Sequence, residues 1–185
     1  MIILVIGLLL FVGIHLLREF RLRDTAIGRL GNGPYRLVYS LTALTGLGLI
    51  IWGKSISPFV MVYQPIYEMR GITHFAMLPA FILVAAGNLP VSHLRRHLAH
   101  PMLLGTIVWG ASHLWANGDL ASIILFGTIL SWAIIKFGTL VVAKPMSDNP
   151  ASVIWDIVAV IVGFCIWALI LIYHGQLFGI GLTLG

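Results

Sequence analysis

The chain has 185 residues, of which 59% are hydrophobic and 9% charged, with a formal net charge of +5 and a mean hydropathy of +1.02. So few charges cannot furnish the mixed polar surface that a water-soluble domain of this length needs, so the composition excludes a soluble domain and points to a lipid-embedded one. The basic excess then bears on topology and on anionic headgroups; no nucleic-acid motif accompanies it.

In chain order, six apolar runs approach the length needed to cross a hydrocarbon core of ~30 Å at ~1.5 Å per helical residue. They cover residues 1–17, 35–53, 71–89, 101–116, 120–140 and 151–174. Their hydrophobicity is unbroken, whereas a β-barrel wall would alternate. The expected fold class is therefore an all-α integral membrane protein, a single domain over 1–185 with six transmembrane helices. The first run is expected to stay as an anchor, because its basic cluster follows the apolar stretch and no small-residue cleavage site appears.

Orientation follows from the Lys and Arg residues. Arg18, Arg21, Arg23, Arg29 and Arg36 flank runs one and two, Arg95 and Arg96 lie between three and four, and Lys136 and Lys144 surround the connection from five to six. Only Lys54 and Arg70 fall on the other side. The positive-inside rule places the larger group in the cytoplasm, both termini outside, and the chain in the cytoplasmic (inner) membrane as a multi-pass protein. The longest connections are 18–34 and 54–70, and the lone Cys165 inside the sixth run is an apolar packing residue.

The fourth run carries the chemistry. It reads His100-Pro-Met-Leu-Leu-Gly-Thr-Ile-Val-Trp-Gly-Ala-Ser-His113-Leu-Trp-Ala-Asn117-Gly-Asp119, a helix with an imidazole well inside it and a turn signal at its end. Ionisable groups at that depth are costly and are functional candidates by default. Asn-Gly-Asp predicts a tight hairpin between antiparallel helices. Pro101 puts His100 at or beside the helix N-cap. Thr106, Gly110, His113 and Asn117 share one stripe, on which Gly110 leaves room for a flat ligand or a neighbouring backbone. His100 and His113 stand ~220° apart around the helix axis and point to different faces.

Among the other histidines, His15 is also flanked by apolar helix, His74 lies three residues into the third run, and His93 and His97 read as headgroup-facing. His174 ends the last run at the interface. Asp156 lies one to two turns inside the sixth run and needs a partner, which the nearby histidines or Arg95 can supply. It shares a narrow sector with Gly163, Trp167 and His174.

Glu19 and Glu68 are the only glutamates, too few for a ferritin-like di-iron centre. No His-Glu-x-x-His zinc motif occurs. Bis-histidine ligation of haem needs only two imidazoles and an apolar slot with aromatic walls, for which Trp109, Trp115, Phe11 and Trp167 are at hand. Haem fits this inventory best among the metal readings.

The segments Arg29-Leu-Gly, Tyr35-Arg-Leu-Val-Tyr-Ser-Leu, His100-Pro-Met-Leu-Leu-Gly, Trp109, His113-Leu-Trp-Ala-Asn-Gly-Asp-Leu-Ala and Leu125-Phe-Gly together resemble the NnrU family. That family is related to the plant and cyanobacterial 15-cis-zeta-carotene isomerase, a haem b membrane enzyme, and bacterial members occur with nitrite and nitric oxide reductase systems. The resemblance implies haem b iron held by His113 and, near the start of the domain, by His15. The isomerase carries a cysteine three residues before the matching histidine; here Gly110 stands there, which speaks against ligand exchange at the iron. His15 lies about 21 Å along the first helix from one face and His113 roughly 18 Å along the fourth from the other, so His74, followed by Met77 at one-turn spacing, is the rival partner.

The activities implied are cis-trans isomerisation of a polyene, or electron transfer or assembly beside a respiratory denitrification protein, with membrane lipid as the constant partner. An alternative is a small S-adenosylmethionine-dependent membrane methyltransferase. Arg96 and His100-Pro-Met-Leu-Leu-Gly resemble the Arg-His-Pro-x-x-x-Gly motif of isoprenylcysteine methyltransferases, although Arg96 is not adjacent to the histidine and no carboxylate follows Asp156. The remaining alternative is a non-catalytic assembly factor whose histidines only lock helices together.

Overall fold

The unbroken apolar runs become helices, as the absence of alternation requires. The computed structural model describes residues 1–17, 20, 22–66, 70–143 and 150–178. Among them are eight helices: α1 (Ile2–Leu16), α2 (Leu22–Leu30), α3 (Asn32–Ser55), α4 (Arg70–Asn88), α5 (His93–Leu98), α6 (Pro101–Ala116), α7 (Leu120–Ala143) and α8 (Val153–Phe178). No strand occurs among the described residues; a single isolated bridge pairs Met61 with Asp119.

Four helices are long and apolar enough to cross a membrane: α3, α4 from Gly71, α7 to Val141, and α8. The chain is thus a multi-pass helical membrane protein with four such helices among the described residues, a correction to the six expected. The physical reason is length. The 15 residues of α1 and the 16 of α6 rise only ~22–24 Å, short of the ~30 Å core. The outward placement of both termini rested on six crossings and does not carry over to four. Arg18, Arg21 and Lys144, which supported it, lie outside the described residues.

The described residues form two compact units, Met1–Val60 and Met61–Gly185. In the first, α1 packs along α3. Glycine permits the close approach, since a Cβ on Gly7 would stand 2.7 Å from the Ile50 amide nitrogen. Leu4 and Leu8 are buried at this seam. Helix α2 occupies a connection expected to be loop, and Gly31 (φ +82°) turns the chain from α2 into α3 in a conformation that suits a residue without Cβ.

In the second unit α4 packs against both α6 and α8, and α6 against α7. Gly163 lets α8 meet α4 backbone to backbone; a Cβ there would lie 2.5 Å from the Ile82 Cα. Without a hydrophobic drive between helices in lipid, this van der Waals closeness is what holds them. Ala80, Ala85, Ala86, Ala133 and Ala159 are all buried, in keeping with small residues at the seams.

Local signals set the boundaries. Ser92 caps α5, its Oγ accepting from the Arg95 amide at 3.1 Å. Between α5 and α6 the chain reverses at Ala99, which has φ +56°, and the His100 amide donates to the Leu98 carbonyl at 2.5 Å. His100 is the N-cap of α6 and Pro101 opens it, as proline's fixed φ and missing N–H favour. The α6–α7 hairpin turns at Asn117-Gly118-Asp119 as expected. Asp119, buried, starts α7 by accepting from the Ser122 amide at 3.0 Å.

Candidate functional site

His113 sits in the last turn of α6, half-buried against α7. Its Nδ1 lies 2.8 Å from the Trp109 carbonyl oxygen one turn back. A carbonyl can only accept, so Nδ1 carries the proton and the lone pair resides on Nε2, the tautomer that a metal-ligating imidazole needs. The ring centroid stands 4.9 Å from that of Trp109 and 4.6 Å from that of Phe126 on α7. Trp109 and Phe126 themselves meet edge-on at 5.0 Å. Two aromatic rings that touch each other thus pack together against one side of the imidazole.

His15, in the other unit, repeats this local chemistry. Its Nδ1 donates to the Phe11 carbonyl at 2.6 Å, and its ring centroid lies 4.5 Å from Phe11 and 5.4 Å from Tyr39 on α3. Each histidine is therefore held by the carbonyl and the ring of an aromatic residue four positions earlier.

The end of α6 is fixed from outside. Asn117 bonds back to the His113 carbonyl through its amide at 3.0 Å and its Nδ2 at 2.9 Å. Residues 61–66 lie across the hairpin as a strap. The Tyr63 hydroxyl donates to the Asn117 carbonyl at 2.9 Å and also to that of Leu114. The Val62 and Tyr63 amides donate to the Gly118 carbonyl at 2.8 and 3.2 Å. A Cβ at Gly118 would run into the Tyr63 carbonyl, so only glycine fits under the strap. Desolvation, and secondarily the Asp119 carboxylate, raise the Tyr63 phenol above its ordinary range, so the hydroxyl keeps the proton it donates.

The remaining expected residues sort out as follows. Gly110 does face a neighbour, but α7 fills the space: a Cβ there would stand 3.0 Å from Leu130 Cβ. Thr106 bonds within α6, to the Met102 carbonyl at 2.9 Å. The start of α4 lies beside the end of α6, since Thr73 Oγ1 reaches the Ser112 carbonyl at 3.3 Å. The next residue, His74, accepts at its carbonyl from Trp167 Nε1 at 2.9 Å. Of the aromatic walls expected, Trp109 and Phe11 stand beside a histidine, Trp115 and Trp167 do other work, and Phe126 was missed.

Asp156 finds its partner in His93 instead of Arg95. Its Oδ2 lies 2.8 Å from His93 Nδ1 and 3.1 Å from the His93 amide, while Oδ1 accepts from the Leu94 amide at 3.0 Å. The carboxylate on α8 thereby caps α5, and His93 is an anchored group where the sequence pointed to a headgroup-facing one. Arg95 turns away, its guanidinium donating to the Leu89 carbonyl. Among the described residues no group of three or more His, Cys, Asp or Glu is placed to hold a metal ion.

No curated protein and no solved structure matches the chain. A family model described as NnrU protein matches residues 3–182, a span that takes in both aromatic-supported histidines, the hairpin and the strap. Since the match covers nearly the whole sequence, the chain belongs to the NnrU family.

Proposed function

We propose that the chain is a haem b-binding protein of the bacterial inner membrane, in which His113 and His15 would hold the haem iron. The observation that carries this reading is the Nδ1–H bond from His113 to the Trp109 carbonyl, which orients the ring, fixes its tautomer and raises the basicity of Nε2. The same bond at His15 supports it as the matching ligand. Trp109 and Phe126 supply the apolar, π-rich wall that a porphyrin face needs. Bound haem supplies a one-electron couple or an iron Lewis acid. The chain's part is to hold both imidazoles in the ligating tautomer and to keep water from them.

Two uses are open to such a centre: electron transfer or assembly serving a denitrification protein, and cis-trans isomerisation of a polyene. Two histidines holding the iron, with Gly110 instead of a thiolate three residues before His113, would favour the first over the second. A second reading replaces His15 with His74, and the Thr73–Ser112 contact favours it by setting the residue before each histidine side by side.

Purified protein from haem-supplemented cells is expected to give the reduced-minus-oxidised spectrum of low-spin haem b. His15→Ala should abolish the low-spin signature and His74→Ala should leave it; the reverse pattern selects the second reading. His97→Ala is expected to change nothing. A colourless wild type would end both.

A further inference from the structure

Three consecutive carbonyls surround the candidate ligand, and each accepts from a side chain. Thr73 Oγ1 donates to the Ser112 carbonyl at 3.3 Å, Asn117 Nδ2 to that of His113 at 2.9 Å, and the Tyr63 hydroxyl to that of Leu114. The Thr106 hydroxyl on α6 and the Thr139 hydroxyl on α7 bond carbonyls of their own helices, the local habit of such side chains. Those of Thr73 and Tyr63 instead reach across 39 and 51 positions of chain. One comes from α4, where Thr73 is buried, and the other from the strap. Both land on a residue adjacent to His113.

His113 stands in the last turn of α6, where a helix has the fewest internal bonds and frays first. Its ring bond to the Trp109 carbonyl spans one helical turn, so it lasts only while residues 109–113 keep helical geometry. Unwinding that turn would swing the Cα–Cβ bond of His113, break the Nδ1–H bond and free the proton to sit on either ring nitrogen. Thr73 and Tyr63 oppose this from two separate segments. The strap is itself pinned, since the Val62 and Tyr63 amides donate to the Gly118 carbonyl, so the Tyr63 hydroxyl is presented from a held backbone.

We infer that Tyr63 and Thr73 are positioning residues for His113: their hydroxyls keep the last turn of α6 wound, and with it the imidazole in its Nδ1–H form with Nε2 presented in one direction. What Nε2 would ligate rests on the haem reading; that the ring is held does not. Groups one step removed from a ligand, which orient it without touching the metal, are worth about 10- to 100-fold in metal affinity.

The test uses the full-length protein in detergent and two measurements. In haem-free protein with nitrogen-labelled histidine, NMR reads the His113 tautomer, its ring signals being those lost in His113→Gln. Wild type is expected to show the Nδ1–H form alone. Tyr63→Phe and Thr73→Val, which remove the hydroxyls and little else, should show both forms. Thr73→Ser keeps a hydroxyl and should restore the single form. In haem-loaded protein the same two variants should lose haem to a scavenging apoprotein about tenfold faster than wild type, while Thr73→Ser and Thr139→Val lose it at the wild-type rate. Thermal midpoints within about 4 °C of wild type separate a misplaced ring from a lost fold. A wild type that mixes tautomers, a single tautomer kept by both Tyr63→Phe and Thr73→Val, or equal behaviour of Thr73→Ser and Thr73→Val overturns the inference. A colourless wild type whose variants still mix tautomers ends the haem reading alone, so the two proposals fail separately.

Discussion

Gly163→Ala is the substitution whose consequence the packing specifies most closely. The added Cβ would lie 2.5 Å from Ile82 Cα, 2.6 Å from its nitrogen and 2.7 Å from its Cγ1. Two of these three atoms are backbone and cannot swing aside. Carbon atoms rest at about 3.5–4.0 Å, so α8 and α4 must separate by roughly 1 Å along their seam. That separation forfeits contacts around Ala85, Ala86 and Ala159, which are buried together. Overpacking of this kind costs about 1–3 kcal/mol. For a chain of this size each kcal/mol lowers the thermal midpoint by about 2–4 °C. The assay is thermal unfolding in one detergent, followed by tryptophan fluorescence. Gly127→Ala on α7 is the control, because nothing lies within 4 Å of a Cβ there; helix propensity should leave it neutral or more stable by up to ~1 kcal/mol. Equal midpoints for the two variants would refute the claim that glycine at 163 serves helix contact.

Asp156→Ala removes two hydrogen bonds to the first amides of α5 and a third to the His93 ring. The pair it forms with His93 is partly exposed, 46% on the histidine side, so the expected loss is that of a helix cap, about 1–2 kcal/mol, with no large ion-pair contribution; thermal unfolding reads it. Tyr63→Phe deprives the Leu114 and Asn117 carbonyls of their donor, and amide exchange at the α6–α7 hairpin should accelerate by about fivefold or more, for a bond worth ~1 kcal/mol. Ala99→Gly relieves a positive φ and should raise the thermal midpoint, by an amount equivalent to ~1 kcal/mol.

The sequence made the α6 hairpin legible because its determinants are local. Pro101 sets the start, Asn117-Gly118-Asp119 sets the turn, and the spacing of Trp109 and His113 already places one over the other on the helix face. The apolar runs likewise announced helices, but run length overstated how many of them cross, since 15 or 16 residues pass a hydropathy reading and still fall short of the core. Helices α2 and α5 escaped notice because they are polar and short. The cap of α5 comes partly from Asp156, 63 residues after His93, and no local pattern records such a partner. The strap was hidden for the same reason: Tyr63 and Leu114 are 51 positions apart, and only the fold shows that a connecting segment seals the helix that carries the candidate ligand. Phe126 was passed over because its ring meets His113 across two helices, a contact that follows from the α6–α7 register and from nothing in its immediate neighbourhood.

The measurement that tests the central claim most directly is chemical rescue of His113→Gly. Removing the imidazole from beside Trp109 and Phe126 leaves a gap that free imidazole can enter. The account predicts that purified His113→Gly protein loses the low-spin haem b spectrum and regains it when imidazole is added. A variant that keeps the wild-type spectrum before any imidazole is present would contradict it.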